Sequence, residues 1–458
     1  MIDYELLESG SNWGREMLLS GLLSHPHISL LRYSDGGPPE SVDRKRLGSP
    51  WDIEYCPGWV EVMPPRNPTG EVQDFVFSCG GTPTRSAAMG DFREFAIRDI
   101  ENKSYVNSSE PEARNRRCSD ALALEVARTI PVDLYITRRP YLVGETRRPA
   151  ADGIAFLPED ALPMIGLYLR RQGEFMYFRT PDGVGTYGCN EGLYYLTASV
   201  ALLPEAWRWS SACSQYAGGV GDESLSHLVA SLFQRVQRAL QARDEMYFSL
   251  SKPQSNDTAD SALGSLDSAL ILMMAAVDVV ARVAHTVLGV GGKPHAAGWQ
   301  SVKWVERLGV VAPGLASVVG DGTDVKRSLL ILRKLRNSVH GEALAPLALH
   351  RGREIDRMLV GLPREDMREI LEAIDGLGGR NLWGVESHVP DRLHIGPGIL
   401  VENIFAHTFS ALNDLMREMP VEALSHVQLK PSDCVPPQGN RHRFSEMKLD
   451  SVRWQVGL

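Results

Sequence analysis

Hydrophobic and polar positions follow two different patterns along the chain, and the change lies near Gly218. Before this point, short runs rich in β-forming residues, such as 59–62 and 75–77, are separated by clusters of Pro, Gly and Asn. Beyond it, apolar residues recur at the spacing of three and four that is typical of amphipathic helices. The pattern predicts an α+β protein, with a mixed α/β domain over residues 1–215 and an all-helical domain over residues 216–458.

The later part of the first half has the most regular alternation of elements. The predicted elements are a helix that Ser119 and Asp120 cap and that runs to Ala127, strands over residues 132–137 and 153–157, and a helix over residues 161–171. Strands and helices that alternate at this distance are typical of βαβ units. A parallel sheet is therefore expected in this half.

The second half is predicted to be helical almost throughout. The predicted helices cover residues 224–248, 259–288, 299–308, 324–339, 351–376 (with a break at 361–363) and 398–419, before an irregular tail over 431–440. The longest apolar run, 269–277, ends at Asp278. Because about 20 apolar residues are needed to span a bilayer, this run is expected to be a buried helix and no membrane partner is expected.

Composition narrows the class of protein. A net charge of −9 and a pI near 5.8 exclude a chain that coats nucleic acid by broad phosphate neutralisation, although a local basic site remains compatible with them. The six cysteines are dispersed and show no metal-ligand spacing, which suits reduced thiols in a cytosol. The N-terminus is acidic and has no signal-peptide pattern, so a cytoplasmic protein without metal or cofactor is expected.

The strongest candidate for chemistry is the end of the predicted helix over residues 324–339. Leucines on one face would dock this helix on a core. Another face, defined by positions three and four apart, carries four polar residues, which are Arg333, Arg336, Asn337 and His340. Gly341 follows directly and lets the chain leave the helix.

This segment resembles the HEPN superfamily, helical bundles in which a late helix carries an arginine, four to six further residues and a histidine, often with a polar residue directly after the arginine. Arg333 and His340 have six residues between them and match that interval. Arg336 and Asn337 match the dipeptide, but only three residues separate Arg336 from His340. The resemblance covers about residues 224–420 and leaves both arginines as candidates.

The resemblance implies a metal-independent endoribonuclease in toxin, stress or anti-phage defence, active on RNA and commonly a homodimer through the helical domain. His340 would take the proton of the RNA 2′-hydroxyl or protonate the 5′-oxygen leaving group. An arginine would hold the phosphate, and Asn337 would orient either group. The N-terminal half would then serve as a sensor, a regulator or an RNA-positioning domain, and a regulatory protein partner is possible.

A non-catalytic HEPN-like module for dimerisation or RNA binding is the alternative. Basic residues in the last turn of a helix are favoured by the helix dipole, and a histidine there caps carbonyl groups. In this alternative, Arg336, Asn337 and His340 hold the bundle together.

The N-terminal half is similar to the later part of PIN-type nucleases over residues 119–139. In that family an Asp opens a helix, and a strand ends in Thr followed by another acid, with the acids binding Mg²⁺ or Mn²⁺. Asp120 matches the first of these acids, but Arg138 and Arg139 stand where the acid after Thr137 is expected, and no first-strand Asp is identified upstream. The prediction is a degenerate PIN-like or unrelated α/β domain with Asp120 as a helix cap. A metal-dependent nuclease is the further alternative.

Two other groups of polar residues stand out. Asp278, Arg282 and His285 fall on one face of a predicted helix and are expected to form a buried polar network, with lining of a groove opposite the Arg/His helix as the alternative. His25 and His27 lack partners at ligand spacing, so core or surface positions are expected for them.

Overall fold

A computed structural model describes residues 1–3, 6, 14–34, 58–63, 72–79, 82–89, 110–143, 154–180, 185–339, 341, 343–351, 354–389, 391–436 and 444–458. The chain divides into two compact units. Unit 1 consists of residues 1–189 and 454–457, and unit 2 of residues 190–453 and 458.

The main sheet of unit 1 has seven strands. They are β1 (Ile2–Asp3), β2 (Leu31–Ser34), β3 (Gly58–Val62), β4 (Val72–Cys79), β5 (Thr84–Met89), β6 (Tyr135–Ile136) and β7 (Ala155–Phe156). Their order is β5-β4-β3-β2-β1-β6-β7. Strands β3, β2, β1, β6 and β7 run parallel to one another, which confirms the predicted parallel sheet. Strands β4 and β5 extend this sheet as an antiparallel hairpin. A separate pair is formed by β8 (Met176–Arg179) and β9 (Thr186–Gly188).

The described helices of unit 1 are α1 (Arg15–Leu23), α2 (Glu110–Thr129), α3 (Pro140–Val143) and α4 (Pro158–Arg171). The predicted helix over 119–127 lies inside α2, which begins nine residues before Ser119. The prediction of Asp120 as a helix cap is therefore wrong. A capping residue stands at the start of a helix, where its side chain accepts hydrogen bonds from the first backbone amides. Asp120 instead lies in the middle of α2.

The strand order reverses at β1. The chain proceeds from β1 to β2 and β3 on one side, and β6 and β7 lie on the other side. In parallel α/β sheets, the carboxyl ends of the strands at such a reversal form a crevice where ligands bind. Asp3 is the last residue of β1, and Thr137 directly follows β6.

Unit 2 contains ten α-helices among its described residues. They are α5 (Glu191–Leu202), α6 (Pro204–Val220), α7 (Ser224–Leu250), α8 (Asn256–Val287), α9 (Val302–Val311), α10 (Pro313–Val318), α11 (Asp324–Asn337), α12 (Met367–Gly376), α13 (Pro397–Arg417) and α14 (Glu446–Val456), the last of which reaches into unit 1 at Trp454. Three short 3₁₀ turns cover Pro294–Ala296, Val421–Ala423 and Pro431–Asp433. The predicted boundary at 215/216 falls inside α6, because the Gly-rich segment there is the end of a helix, with Gly221 in the left-handed conformation.

The prediction that residues 216–458 are all helical is wrong. Unit 2 also holds an antiparallel sheet of β10 (Ala345–Arg351), β11 (Glu354–Gly361), β12 (Glu386–Val389) and β13 (Arg392–Ile395), in the order β10-β11-β13-β12. The predicted helix over 351–376 is a strand in its first part, and only α12 is helical. Leu347 pairs with Leu359, and Leu359 and Val360 are both fully buried, so pairing across the sheet overrides local helix preference.

Helix α8 is long and apolar enough to cross a membrane by length and composition alone. Its most apolar window has a mean hydropathy of 1.8, and 56% of that window is buried in the protein. Leu270, Met273 and Val277 are completely buried there. This burial fits the core helix of a soluble protein and the prediction of a buried helix at residues 269–277.

Candidate functional site

Helix α11 positions three of the candidate residues, Arg333, Arg336 and Asn337. Thr323 caps the helix, since its hydroxyl accepts a hydrogen bond from the Lys326 amide at 3.2 Å. Leu329, Leu332 and Leu335 point into the core and are at most 1% exposed. Because one stripe of the helix is fixed in the core, the polar residues between these leucines face outward from it.

Three candidate side chains of α11 make no hydrogen bond or ion pair among the residues that the structure describes. Arg333 and Arg336 are half-buried and Asn337 is exposed, and none of the three side chains forms a hydrogen bond or ion pair with another described residue. Lys334, by contrast, contacts Asp366 at 2.7 Å and Glu369 at 3.1 Å. The hydrogen bond with Asp366 raises the pKa of Lys334. Arg333 and Arg336 therefore have no ion pair among the described residues, whereas Lys334 has two.

The chain leaves α11 through a further turn. The helix ends at Asn337, two residues before the predicted end, and the Ser338 hydroxyl donates to the Leu335 carbonyl. The Gly341 amide donates to the Asn337 carbonyl at 3.1 Å. His340, the residue common to both versions of the predicted motif, lies outside the described residues.

Arginines of three helices influence the ionisation of Asp278 on α8. Burial is the main influence on this carboxyl and raises its pKa, while the positive charges of Arg336 on α11, Arg282 on α8 and Arg235 on α7 oppose that rise. The Asp278 side chain forms no hydrogen bond within the described part of the chain. We call Arg235, Arg282 and Arg336 the arginine cluster. The positive charges of these three guanidinium groups all act on the one Asp278 carboxyl.

The predicted network of Asp278, Arg282 and His285 is not formed as a unit. His285 is buried, and its Nδ1 accepts a hydrogen bond from the Trp304 indole at 3.3 Å. It is a core histidine. Asp278 instead interacts electrostatically with Arg336 of α11 and with the exposed Arg282 of its own helix.

A second polar site lies at the carboxyl ends of β1 and β6, and its central acid was missed in the sequence. Asp3 and Asp120 are both buried. The Arg139 guanidinium bridges them, with Nε at 3.1 and 3.2 Å from the two Asp3 oxygens and a terminal nitrogen at 3.3 Å from Asp120. The same terminal nitrogen lies 2.9 Å from the Ser119 hydroxyl. Asp3 is the first-strand acid that sequence reasoning did not find, because a two-residue strand carries no detectable alternation.

Two hydroxyl groups complete the contacts of Asp3. The Tyr135 hydroxyl and the Thr137 hydroxyl each donate to one carboxylate oxygen at 2.6 Å. Burial, followed by the negative charge of Asp3, raises the pKa of Tyr135 well above its ordinary value. Asp3 therefore has both oxygens engaged by internal donors.

This arrangement counts against a metal-dependent nuclease in unit 1. Arg139 supplies a positive charge between the two carboxylates, where a divalent ion would need their oxygens as ligands. Arg138, the other arginine at the expected acid position, faces Glu16 and Glu159 at 3.7 and 3.3 Å. Across the described ranges, no three His, Cys, Asp or Glu residues are grouped so as to hold a metal ion.

His25 and His27 occupy a core and a surface position, as predicted, but a distant residue faces both. Their Nε2 atoms lie 3.9 and 3.6 Å from the Glu174 carboxylate. Burial lowers the pKa of His25, and Glu174 opposes that effect. Glu174 lies far from His25 and His27 in the sequence, so residue spacing does not reveal this contact.

Comparisons of the chain with protein-family models, with curated proteins and with solved structures give no match.

Proposed function

We propose that unit 2 is a HEPN-like, metal-independent endoribonuclease whose phosphate-binding surface is the arginine cluster with Arg333. One observation carries the proposal: Arg333 and Arg336 have no internal ion pair within the described part of the chain, although Lys334 between them has two. A guanidinium group without an internal partner is available to a phosphate, which it binds through two parallel hydrogen bonds.

The chemistry needs only groups that this chain and RNA supply. The RNA 2′-oxygen attacks the adjacent phosphorus, the bond to the 5′-oxygen breaks, and the products are a 2′,3′-cyclic phosphate and a 5′-hydroxyl. One proton leaves the 2′-hydroxyl and one is added to the 5′-oxygen; His340 moves the proton at one of these oxygens, and the second copy of His340 in the homodimer moves the proton at the other. Arg336 or Arg333 stabilises the charge that develops on the phosphate, and Asn337 orients the histidine or the phosphate.

The setting follows from the same resemblance. RNA is the partner, and a homodimer through unit 2 brings two Arg/His sets together. Unit 1 acts as a sensor, a regulator or an RNA-positioning domain, and a regulatory protein is a further partner. The protein acts in the cytoplasm, in toxin, stress or anti-phage defence. The net charge of −9 restricts RNA contact to a local basic surface.

Cleavage of total RNA by the purified protein in EDTA tests the proposal. The wild type is expected to produce fragments with 2′,3′-cyclic phosphate ends. His340→Ala should abolish cleavage, and Arg336→Ala should reduce it about a hundredfold or more, since removing one stabilising group typically costs that factor. Arg333→Ala measured in parallel identifies which arginine is the functional one.

Arg368→Ala is the matched control, because Arg368 is an exposed arginine of unit 2 whose one ion pair within the described ranges is with Glu372 on its own helix. It should retain wild-type cleavage. No cleavage by the wild type, or full cleavage by His340→Ala, would refute the enzymatic proposal.

The two alternatives predict different results. A structural role for Arg336 requires a sharp loss of thermal stability in Arg336→Ala together with no RNA affinity in the wild type. The side chains of Arg336 and Asn337 form no hydrogen bond or ion pair among the described residues, which argues against that role. A metal-dependent nuclease in unit 1 requires Mg²⁺-dependent cleavage that Asp120→Asn abolishes, and the bridging Arg139 argues against it.

A further inference from the structure

The antiparallel sheet of unit 2 has an open edge at β10. This strand has seven residues and pairs with β11 along its whole length, from Ala345 opposite Gly361 to Arg351 opposite Glu354. Within the ranges that the structure describes, no strand pairs with its other side. Such an edge presents a row of backbone N–H and C=O groups with which a further strand can pair.

The pairing register determines which backbone groups face this open edge. Pro346 lies opposite Val360 and has no N–H to donate. In an antiparallel ladder, opposed residues that exchange hydrogen bonds alternate with opposed residues that do not. Pro346 therefore belongs to the second kind, and Leu347 exchanges hydrogen bonds with Leu359. Ala348 is again of the second kind, so its N–H and C=O point away from β11 towards the open edge.

The stretch around Ala348 has little protection against pairing. Natural edge strands are commonly blocked by charged side chains, by proline or by a bulge. Residues 345–349 contain no charged side chain, and the irregularity in the register comes only after Leu349. Pro346 removes one outward donor but leaves the Ala348 amide in place. The half-buried side chains of Leu347 and Leu349 add apolar surface beside these backbone groups.

The strand is complementary to itself about Ala348. When two copies lie antiparallel with Ala348 opposite Ala348, the two alanines can exchange two hydrogen bonds. Leu347 of each copy then lies opposite Leu349 of the other copy, and the four leucines share one face of the sheet. Arg351 of each copy lies opposite Ala345 of the other, so no like charges face each other.

We propose that β10 pairs antiparallel with β10 of a second copy of this chain, centred on Ala348. The two four-stranded sheets then form one eight-stranded sheet across a two-fold axis, which is the commonest symmetry of homodimers. Strand β10 begins seven residues after the end of α11. The inference rests on the proposed function only for what the dimer does, namely to bring two α11 helices together, because strand pairing itself needs no RNA.

Disulfide trapping of the full chain tests the position of the axis. Ala348→Cys is expected to give a covalent dimer under mild oxidation, because the two Cα atoms would be about 5.5 Å apart, within the span of a disulfide. Ala345→Cys is the matched control on the same strand. Three residues from the axis, its two copies would lie roughly 20 Å apart and should not link. Non-reducing electrophoresis measures both, with the wild type in parallel because the chain has six native cysteines.

Sedimentation equilibrium tests the leucine contacts. The wild type is expected to form a dimer as its concentration rises over roughly 1–200 μM. Leu347→Glu and Leu349→Lys should each weaken dimerisation by about tenfold or more, since each places a charge opposite a leucine. An equimolar mixture of the two variants should regain dimer, because the introduced charges then face each other at one of the two leucine pairs. Circular dichroism of each variant checks that it is folded.

Three results would overturn the inference. They are a monomeric wild type over the whole concentration range, equal cross-linking of Ala345→Cys and Ala348→Cys, and wild-type dimerisation in both leucine variants. RNA cleavage is a separate readout. Loss of cleavage with an intact dimer would count against the proposed function alone, and cleavage by a protein that does not dimerise through β10 would count against this inference alone.

Discussion

Arg139 and Arg336 are both partly buried arginines beside carboxylates, and they differ in what those carboxylates do. Arg139 contacts Asp3 and Asp120 at hydrogen-bond distance, whereas Arg336 influences Asp278 only at longer range. The first arrangement is a completed internal ion pair. The second leaves the Arg336 guanidinium without an ion pair among the described residues, which supports the proposal that it binds a phosphate.

Arg139→Ala is expected to lower the free energy of unfolding by about 3 kcal/mol at neutral pH, because two buried carboxylates lose their counter-ion. The Arg139 side chain is 16% exposed, so solvent screening only slightly reduces the loss. Urea unfolding combined with hydrogen exchange at β6 measures it. Arg138→Ala, a 48% exposed neighbour, should cost less than about 1 kcal/mol. Equal losses for both variants would contradict the bridging role.

Asp278→Asn is expected to stabilise the protein at neutral pH. Burial raises the folded-state pKa of Asp278 above 3.8, so the folded state holds this proton more tightly than the unfolded state. The penalty of the charged form is absent well below pH 3.8, develops as the pH rises through the folded pKa, and is complete above it. Thermal unfolding should show a gain for the variant at pH 7 that shrinks as the pH is lowered towards 4.

Asp321 provides a control of opposite sign. A hydrogen bond from Lys326 lowers the pKa of this exposed carboxyl, so its charge contributes favourably at neutral pH and that contribution is lost as the pH falls through the folded pKa. Asp321→Asn should therefore not stabilise the protein at pH 7. A gain for Asp278→Asn that keeps its full size at pH 4 would show that the carboxylate charge is not its source.

At the scale of elements, the helices of unit 2 were predictable and its sheet was not. The predicted helix over 259–288 corresponds to Asn256–Val287. It was predictable because apolar residues recur every three to four positions along a helix that packs on a core. The hairpin of β10 and β11 leaves little trace, because Met358, Leu359 and Val360 are all buried and break the alternation. Two of its paired residues, Ala345 and Gly361, are sixteen positions apart.

Leu332→Ala on α11 is expected to lower the free energy of unfolding by about 2–5 kcal/mol, because Leu332 is fully buried and its removal leaves a cavity. Arg333→Ala is the adjacent control and should change stability by no more than about 0.5 kcal/mol. Urea titration followed by circular dichroism measures both. A large loss for Arg333→Ala would mean that this side chain supports the bundle instead of facing a ligand.

At the scale of the whole molecule, unit 1 is built from both ends of the chain. Residues 454–457 belong to it, and the side chain of Gln455 donates to the carbonyls of Met176 and Tyr177 at 3.1 and 2.8 Å. The Arg170 guanidinium in turn donates to the Gln455 carbonyl at 3.3 Å. A fragment that ends at residue 189 therefore lacks part of the core of unit 1.

Gln455→Ala is expected to lower the free energy of unfolding of unit 1 by about 1–3 kcal/mol, since two buried carbonyl groups lose their donor. Hydrogen exchange at β8 and urea unfolding measure the change. Gln172 is an exposed glutamine of the same unit, and Gln172→Ala should have almost no effect. An unchanged stability in Gln455→Ala would mean that the C-terminal residues only rest on unit 1.

The sequence by itself determined the α+β class, most helices of unit 2 and the outward face of α11 with Arg333, Arg336 and Asn337. These features depend on neighbours within four positions, where periodicity records the environment of each residue. Only the tertiary structure decided that Asp3 meets Arg139, more than a hundred residues away, and that Asp278 shares its surroundings with arginines of three helices. Such contacts depend on how distant elements pack together, and no local pattern carries that information.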